Sequence, residues 1–225
     1  NYLGMDRGFE ARCTVCSWTG LIPAREGFEG EIHCRRCPKR KKEFEEAFKG
    51  GIAVRPEWTN FLIGLAKVVS RRSHDTQTQH GCVIADDLHR ILGVGYNGFP
   101  RGMNDKNLPT TRPEKYPWMD HSEENAVANC TLRPEGATAY ITGKSCFGCM
   151  KELWRNGIKR IVQISGYGWT KDDEERSHRE RLIKETGLKV DDVAPDLSWL
   201  VDMVLQDEDL RAILFQRLNT AGLLK

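Results

Sequence analysis

The sequence lacks the long apolar run that a membrane-spanning helix requires. Such a helix needs about 18 uninterrupted apolar residues, and the best segment, residues 61–69, is broken by Lys67 and followed by Arg71. An excess of one charge is missing as well, because 34 basic and 32 acidic residues leave a net charge of +2. With 39% hydrophobic residues the chain has enough apolar material for a core. This composition excludes collagen, coiled coil and wholesale disorder.

A signal-peptide pattern is also missing, since none follows Met5, the first residue that would serve as a start. Six of the eight cysteines form three Cys-x-x-Cys pairs, which is metal-ligand spacing and not the scatter of a secreted disulfide scaffold. The sequence therefore predicts a reducing, cytoplasmic location. The other two cysteines, Cys82 and Cys130, are interpreted as small buried hydrophobic residues.

Residues 1–52 are predicted to form a zinc-ribbon-like module. Two Cys-x-x-Cys pairs are separated here by 17 residues, and four thiolates would close a structural zinc site without an open position. Two disulfides are the alternative, and His33 is a weaker substitute ligand. The basic run at residues 35–42 is interpreted as a solvated face, with a nucleic-acid contact as the alternative. The predicted ligands of this structural Zn²⁺ are Cys13, Cys16, Cys34 and Cys37.

Helix and strand patterns alternate after Pro56, which implies an α/β layered domain with parallel strand pairs. Helices are predicted from residue 58 onward and near residues 123–132, 147–156 and 172–185. Strands are predicted at residues 81–85, 90–95, 137–142, 159–164 and 188–190. The predicted domains are the zinc module at 1–52, a catalytic domain at 53–192 and a helical C-terminal extension at 193–225.

Two motifs carry the chemistry, and each opens a predicted helix: His121-Ser122-Glu123 and Cys146-Phe147-Gly148-Cys149. One histidine and two cysteines supply three zinc ligands and leave a fourth position for water, as in catalytic sites. Zinc lowers the pKa of that water toward ~7, and Glu123 is placed to take its proton and pass it on. This pattern is typical of zinc nucleobase deaminases. The alternative is a second closed zinc site or a set of core residues.

Residues from about 57 to 190 resemble the deoxycytidylate (dCMP) deaminase family. The resemblance implies a cytidine-deaminase-like fold, with a three-layer α/β/α core around a mixed five-stranded sheet, and hydrolytic deamination of dCMP to dUMP. It also implies a homo-oligomer, often a hexamer, that dCTP activates and dTTP inhibits; such an effector would bring Mg²⁺ with it. The segments shared in the family's order are Arg72-Ser73, Gly81-Cys82-Val83-Ile84, Gly95-Tyr96-Asn97-Gly98-Phe99-Pro100-Arg101-Gly102, Lys115-Tyr116-Pro117-Trp118, His121-x-Glu123-x-Asn125-Ala126 and Gly157-Ile158-Lys159-Arg160.

The same resemblance implies that Asn97 contacts the sugar or base of the substrate. Ser145 stands where the family has proline, and Ser122 stands where alanine is usual. Both residues flank the predicted metal, so they are candidate determinants of the base, or of the 5-substituent on cytosine, that the site accepts. Weaker candidates for contacts to the 5′-phosphate are Arg72, Ser70 and Tyr167.

Three classes of function are compatible with these motifs. The first is an enzyme acting on a free deoxynucleotide, namely dCMP, with a 5-substituted dCMP or dCTP as alternatives. The second is a nucleic-acid deaminase that uses the zinc ribbon for binding, and the third is a non-catalytic nucleotide sensor. Residues 51–225 carry 24 basic and 24 acidic residues, which disfavours polynucleotide binding. The intact ligand set and Glu123 disfavour the sensor.

Overall fold

Seven strands and six helices follow one another in the computed structural model, which describes residues 9–12, 19–22, 55–165 and 173–221. A 3₁₀ turn at Asp105–Asn107 lies in the long connection after the fourth strand. The elements in chain order are β1 (Phe9–Arg12), β2 (Thr19–Ile22), α1 (Trp58–Ser70), β3 (Gly81–Ala85), β4 (Ile91–Tyr96), α2 (Ser122–Ala128), β5 (Thr138–Ile141), α3 (Phe147–Arg155), β6 (Arg160–Ile164), α4 (Asp173–Thr186), β7 (Lys189–Val193), α5 (Ser198–Gln206) and α6 (Glu208–Thr220).

The chain divides into two compact units. One unit is Arg55–Leu197, which contains β3 to β7 and α1 to α4. The other comprises Asn1–Val54 and Ser198–Lys225. Within it, β1 and β2 pair antiparallel, with Phe9 opposite Ile22 and Arg12 opposite Thr19. The four cysteines of the predicted zinc ribbon lie outside the described residues.

The larger unit is built on a mixed five-stranded sheet with strand order β4-β3-β5-β6-β7. Strand β3 pairs antiparallel with β4 and with β5, whereas β5, β6 and β7 run parallel. All five residues of β3 are buried, as expected for a central strand covered on both faces. The predicted mixed five-stranded sheet is confirmed.

Helices cover both faces of the sheet. Alternate residues of each strand point to opposite faces, so each face buries its own set of side chains against helices. Helix α1 packs against one face, where Leu62 and Ile63 meet Val83 and Val162. Helices α2 and α3 pack against the other face, where the buried residues come from strands and helices alike. This second cluster includes Cys82, Ile84, Ala126, Ala139, Ile141, Met150, Leu153 and Ile161.

Several element ends differ from the expectations. The α2 pattern was predicted to reach residue 132, but the helix ends at Ala128. Cys130 therefore lies in the turn that follows, where it is only partly buried and its thiol donates to the carbonyl of Ala126 at 3.3 Å. Strand β7 extends to Val193 because it continues its parallel register along β6.

The C-terminal extension forms two helices. Asp207 separates them and caps α6, since its side chain accepts a hydrogen bond from the backbone N–H of Leu210 at 2.9 Å. Neither these helices nor any other helix in the described part of the chain is long and apolar enough to cross a membrane.

Candidate active site

His121 and Glu123 lie at the start of helix α2. His121 is the N-cap residue, and its backbone N–H donates to the carboxylate of Glu124 at 2.7 Å. This N–H has no acceptor within the helix, so the Glu124 carboxylate supplies one. Glu123 follows two residues later. The helix N-terminus carries partial positive charge, so it favours a carboxylate at this point.

Helix α3 begins in the same way, with Cys146 as its N-cap residue. The Cys146 sulfur accepts a hydrogen bond from the backbone N–H of Cys149 at 3.4 Å. Because Cys149 lies one turn into the helix, both sulfurs lie at the same end of α3. A Cys-x-x-Cys pair that opens a helix thus presents two soft ligands together.

The two helix starts bring one nitrogen and two sulfurs together. Nδ1 of His121 lies 3.2 Å from the sulfur of Cys149 and 3.5 Å from that of Cys146. All three ligand atoms lie within 4.8 Å of one another. Tetrahedral zinc with bonds of about 2.3 Å to sulfur and 2.0–2.1 Å to nitrogen separates such atoms by roughly 3.5 Å. The residues therefore fit a zinc ion bound by three protein ligands, with a fourth position left for water.

The three ligands perturb one another's pKa values. The hydrogen bond from the Cys149 thiol lowers the pKa of Cys146 to about 4, with further help from His121. The hydrogen bond to Cys146 raises the pKa of His121 to about 9. Cys149 moves the other way, because its bond to Cys146 and its burial raise its pKa. Without a metal, Cys146 is therefore the thiolate of the group, and zinc would displace the protons of His121 and Cys149 on binding.

Glu123 is buried beside the three ligands, with only 5% of its surface exposed. Burial raises its pKa, whereas the hydrogen bond from Ser122 and the charge of His121 act against that rise. The Ser122 hydroxyl donates to Oε2 of Glu123 at 2.7 Å. A carboxyl group with a raised pKa, held at one oxygen beside a metal site, is suited to accept and return a proton.

Two glycines of β4 allow α2 to lie close to the sheet. A Cβ at Gly95 would lie 2.2 Å from the backbone nitrogen of Ala126 and 2.3 Å from the carbonyl oxygen of Ser122. A Cβ at Gly93 would lie 2.5 Å from the carbonyl oxygen of Ala126. No side chain fits at these distances, so the depth at which α2 lies depends on both glycines.

Asn97, the predicted substrate contact, is buried and makes three hydrogen bonds with its amide group. Its nitrogen donates to the carboxylate of Asp75 at 3.2 Å and to the carbonyl of Thr78 at 2.9 Å. Its oxygen accepts the backbone N–H of His80 at 2.7 Å. These bonds fix the side chain, and a contact between Asn97 and the substrate stays a prediction.

Two of the three predicted phosphate contacts, Ser70 and Arg72, lie in the described part of the chain. Ser70 is buried, and its hydroxyl donates to the backbone carbonyl of Lys67 at 2.7 Å within α1. Arg72 is exposed, with its guanidinium carbon 6.0 Å from the ring centre of Tyr96. Tyr167 lies outside the described residues, as do Cys13, Cys16, Cys34 and Cys37.

Ser122 and Ser145 both flank the ligands and are fully buried. The Ser122 hydroxyl is bound to Glu123, as described above. The backbone N–H of Ser145 donates to Oε1 of Gln163 at 3.0 Å, and its hydroxyl has no hydrogen-bond partner among the described residues. Base or 5-substituent selection by these serines stays a prediction.

A buried ion pair near the site was missed by sequence reasoning. The ammonium of Lys115 donates to Oδ2 of Asp75, and each residue is only 3% exposed. The other oxygen of Asp75 accepts the backbone N–H groups of Gln77 and Thr78 at 2.8 and 2.9 Å. Lys115 lies in the motif shared with the family, and that was the one signal available in the sequence.

His80 is partly buried near the ligands. Its Nδ1 lies 3.4 Å from the hydroxyl of Thr142, and its ring leaves no room for a Cβ at Gly143. Burial lowers the pKa of His80, and the charges of Lys67 and His121 lower it further. No spacing in the sequence indicated this position.

A three-layer α/β/α fold that presents His121, Cys146, Cys149 and a buried Glu123 at two helix starts defines the class of zinc-dependent nucleobase deaminases. Residues 56–165 match the family model described as the cytidine and deoxycytidylate deaminase zinc-binding region. Over 152 residues the chain is 31% identical to deoxycytidylate deaminase of Mus musculus and 30% identical to that of Homo sapiens, which covers 64% of this chain and 84% of each relative. The chain therefore belongs to the cytidine and deoxycytidylate deaminase family.

Among solved structures, the chain is similar to the dCMP deaminase of cyanophage S-TIM5 in complex with dCMP and dUMP. The identity is 19%, the TM-score is 0.48, and the match covers 62% of this chain and 99% of that one.

Proposed function

We propose that this chain catalyses the hydrolytic deamination of dCMP to dUMP. The observation that carries the proposal is the buried carboxylate of Glu123 beside the group formed by His121, Cys146 and Cys149. The deoxycytidylate deaminases of mouse and human, which resemble this chain over most of their own length, give the substrate.

In this reaction water adds to C4 of cytosine, the bond from C4 to the amino nitrogen breaks, and ammonia leaves. Zinc bound by His121, Cys146 and Cys149 would supply Lewis acidity that makes water a nucleophile at neutral pH. Glu123 accepts the proton of the attacking water and returns it to the leaving amino group. Ser122 holds one carboxylate oxygen, which orients the group during both transfers.

The environment of Glu123 suits this role because the residue is excluded from bulk water. Burial raises the pKa of its carboxyl group, and a raised pKa makes the carboxylate a better base for water and the carboxylic acid available as a donor. The N-terminus of α2 keeps the charged form accessible. Both forms are needed within one catalytic cycle.

We further propose features that come from the family resemblance. They are a homo-oligomer, a hexamer in many relatives, with activation by dCTP and inhibition by dTTP in the presence of Mg²⁺. The N-terminal segment 1–52 would hold a second, structural Zn²⁺, the catalytic domain would span residues 53–192, and the tail 193–225 would be a helical extension. A reducing, cytoplasmic compartment is consistent with the thiolate ligands.

One assay distinguishes the candidate substrates. Zinc-loaded full-length protein is incubated with dCMP, 5-substituted dCMP, dCTP, cytidine and oligonucleotides that contain cytosine or adenine, and products are separated by chromatography. A Glu123→Gln protein serves as the blank. Conversion of dCMP to dUMP with release of ammonia is expected. Deamination of oligonucleotides alone, or nucleotide binding without any product, would contradict the proposal.

A further inference from the structure

Cys146 is held from both sides by side chains of other elements. The residue before it, Ser145, donates its backbone N–H to Oε1 of Gln163 at 3.0 Å. The residue after it, Phe147, donates its backbone N–H to Oε1 of Glu175 at 2.5 Å. Gln163 lies on β6 and Glu175 lies on α4, so two independent elements fix the backbone on either side of one predicted ligand.

Gln163 is fixed at both ends of its amide group. It is 1% exposed, and its nitrogen donates to Oδ1 of Asp192 on β7 at 3.0 Å. Gln163 and Asp192 are direct register partners in the parallel ladder. Because a carboxylate only accepts, the amide nitrogen must face Asp192, and the amide oxygen must then face Ser145. The sheet thereby presents one acceptor to the N–H that precedes Cys146.

Glu175 meets a group that the helix itself cannot satisfy. The first N–H groups of a helix have no intrahelical acceptor, and Phe147 is the first residue of α3. A carboxylate at this point is also favoured by the helix dipole. The ring of Phe147 lies 5.2 Å from that of His178, so α4 covers the start of α3 through a second contact.

We propose that Gln163 and Glu175 are positioning residues that hold Cys146 in the geometry required for zinc; we call the two together the Cys146 clamp. The proposal rests on the proposed zinc site of the deaminase. Without the clamp, the backbone N–H groups of Ser145 and Phe147 lose their acceptors. The backbone around Cys146 can then adopt conformations in which the Cys146 sulfur is out of position for zinc. Loss of such outer-shell partners typically weakens metal binding by about 10–100-fold.

The test measures the rate at which full-length protein releases zinc to a coloured chelator. The phase that belongs to this site is the one that Cys149→Ala removes. Gln163→Met and Glu175→Met, which keep side-chain length and delete the acceptor, are expected to speed that phase about 10–100-fold. Glu175→Gln keeps an acceptor oxygen, and Glu180→Met changes an exposed residue of the same helix; both are expected to stay within about twofold of the parent.

The role of the N–H of Ser145 is tested by two substitutions at that residue. Ser145→Ala retains the N–H and is expected to release zinc as the parent does. Ser145→Pro removes the N–H but fixes φ at the position where the family has proline, so zinc release should stay within about twofold of the parent and no longer depend on Gln163. In a Ser145→Pro background the further change Gln163→Met should have no added effect on zinc release. Circular dichroism of each protein checks that the fold is retained.

The outcomes separate the clamp from the catalytic function. Parent-like zinc release by folded Gln163→Met and Glu175→Met would overturn the proposal, and so would equal acceleration by Glu180→Met. Faster zinc release on adding Gln163→Met to the Ser145→Pro protein would overturn the part assigned to Gln163. Absence of any phase sensitive to Cys149→Ala would overturn the zinc site and the clamp with it. None of these readouts needs a substrate, so a failure to deaminate dCMP leaves them intact.

Discussion

Glu123 is buried, and one of its carboxylate oxygens accepts a hydrogen bond from the neighbouring Ser122 hydroxyl. The ligands His121, Cys146 and Cys149 do not depend on its side chain for their own contacts, because the bonds among them run between nitrogen and sulfur. Removing the acidity of Glu123 should therefore separate proton transfer from metal binding.

Glu123→Gln is expected to lower kcat for dCMP by at least about 10²–10⁴-fold, the usual contribution of a general acid or base. Zinc content should remain that of the parent, because glutamine keeps the shape and one acceptor oxygen. The measurement is dUMP formation together with metal analysis of the same sample. Glu185→Gln, at an exposed position of α4, is the matched control. Near-normal turnover by Glu123→Gln would contradict the proposed role.

The buried ion pair of Asp75 and Lys115 affects the stability of the fold through individual residues. Burial alone would raise the pKa of Asp75, but the hydrogen bonds from Lys115, Thr78 and Gln77 outweigh it and the pKa is lowered from 3.8. A carboxyl group with a lower pKa in the folded state stabilises that state above its unfolded pKa, and the stabilisation is lost as the pH falls through the folded pKa.

Lys115→Met is expected to reduce the free energy of unfolding by about 3–5 kcal/mol at neutral pH, because it leaves a buried carboxylate without its cation. In the parent this stability should decline as the pH is lowered below about 5, and the decline should be shallower in Lys115→Met. Urea unfolding at several pH values measures both effects. A steeper acid loss in the variant than in the parent would show that the pair does not stabilise the fold.

At the scale of elements, the position of α2 depends on the glycines of β4. Gly95→Ala would place a Cβ 2.2 Å from the backbone of Ala126, and backbone atoms cannot move aside as a flexible side chain can. We expect α2 to shift away from the sheet and to carry His121 and Glu123 with it. A misplacement of about 1 Å lowers turnover by about 10²-fold, and such overpacking costs about 1–3 kcal/mol of stability.

The comparison for Gly95→Ala is Gly136→Ala. Gly136 has a φ of 78° and open space around its Cβ position, so alanine there introduces backbone strain without a clash. Both variants should unfold at lower temperature than the parent. Zinc content and kcat should fall in Gly95→Ala alone, and an equal loss in Gly136→Ala would mean that general destabilisation explains the result.

The helices and strands were largely predictable from the sequence because their signals are local. His121-x-Glu123 and the Cys-x-x-Cys of Cys146 each lie within a few residues at a helix start, where spacing alone determines which groups meet. Gln163 carries no such signal. A single polar residue in an apolar strand pattern has the same sequence appearance whether it faces solvent or a buried N–H.

Contacts between distant segments were the part that the sequence did not reveal. Asp75 and Lys115 are 40 residues apart, and the meeting of their charges depends on the path of the loop that leads to His121. The bonds of Asn97 to Asp75 and His80 depend on the same path. Buried polar groups require partners, but which residues become buried together depends on the folded chain and not on their spacing in the sequence.

At the scale of the whole molecule, the two predicted sets of zinc ligands lead us to expect two metals of different behaviour. Metal analysis of the intact chain is expected to give two zinc ions, of which Cys149→Ala removes one and Cys37→Ala removes the other. A site with four thiolates would have no open position and should release zinc more slowly. A single zinc in the parent, or a disulfide mapped within any Cys-x-x-Cys pair, would contradict this count.

The distribution of charge over the chain separates a nucleotide substrate from a polynucleotide. A mononucleotide needs only a compact cationic pocket, whereas polynucleotide binding releases counterions, and its affinity falls steeply between about 50 and 200 mM salt. Residues 51–225 carry equal numbers of acidic and basic residues, so the basic run at 35–42 is the feature available for a polymer.

Neutralising that run in the full-length chain decides between the two substrates. A protein in which Lys39, Arg40, Lys41 and Lys42 are all replaced by glutamine retains the cysteines of the predicted ribbon. It is expected to convert dCMP at the parent's rate, with the same weak dependence on salt, because the run lies outside the predicted catalytic domain. The measurement is dUMP formation by both proteins at low and moderate salt, with a cytosine oligonucleotide in parallel. Preference of the parent for the oligonucleotide, lost in moderate salt and lost equally on neutralisation, would instead identify a polynucleotide as the substrate.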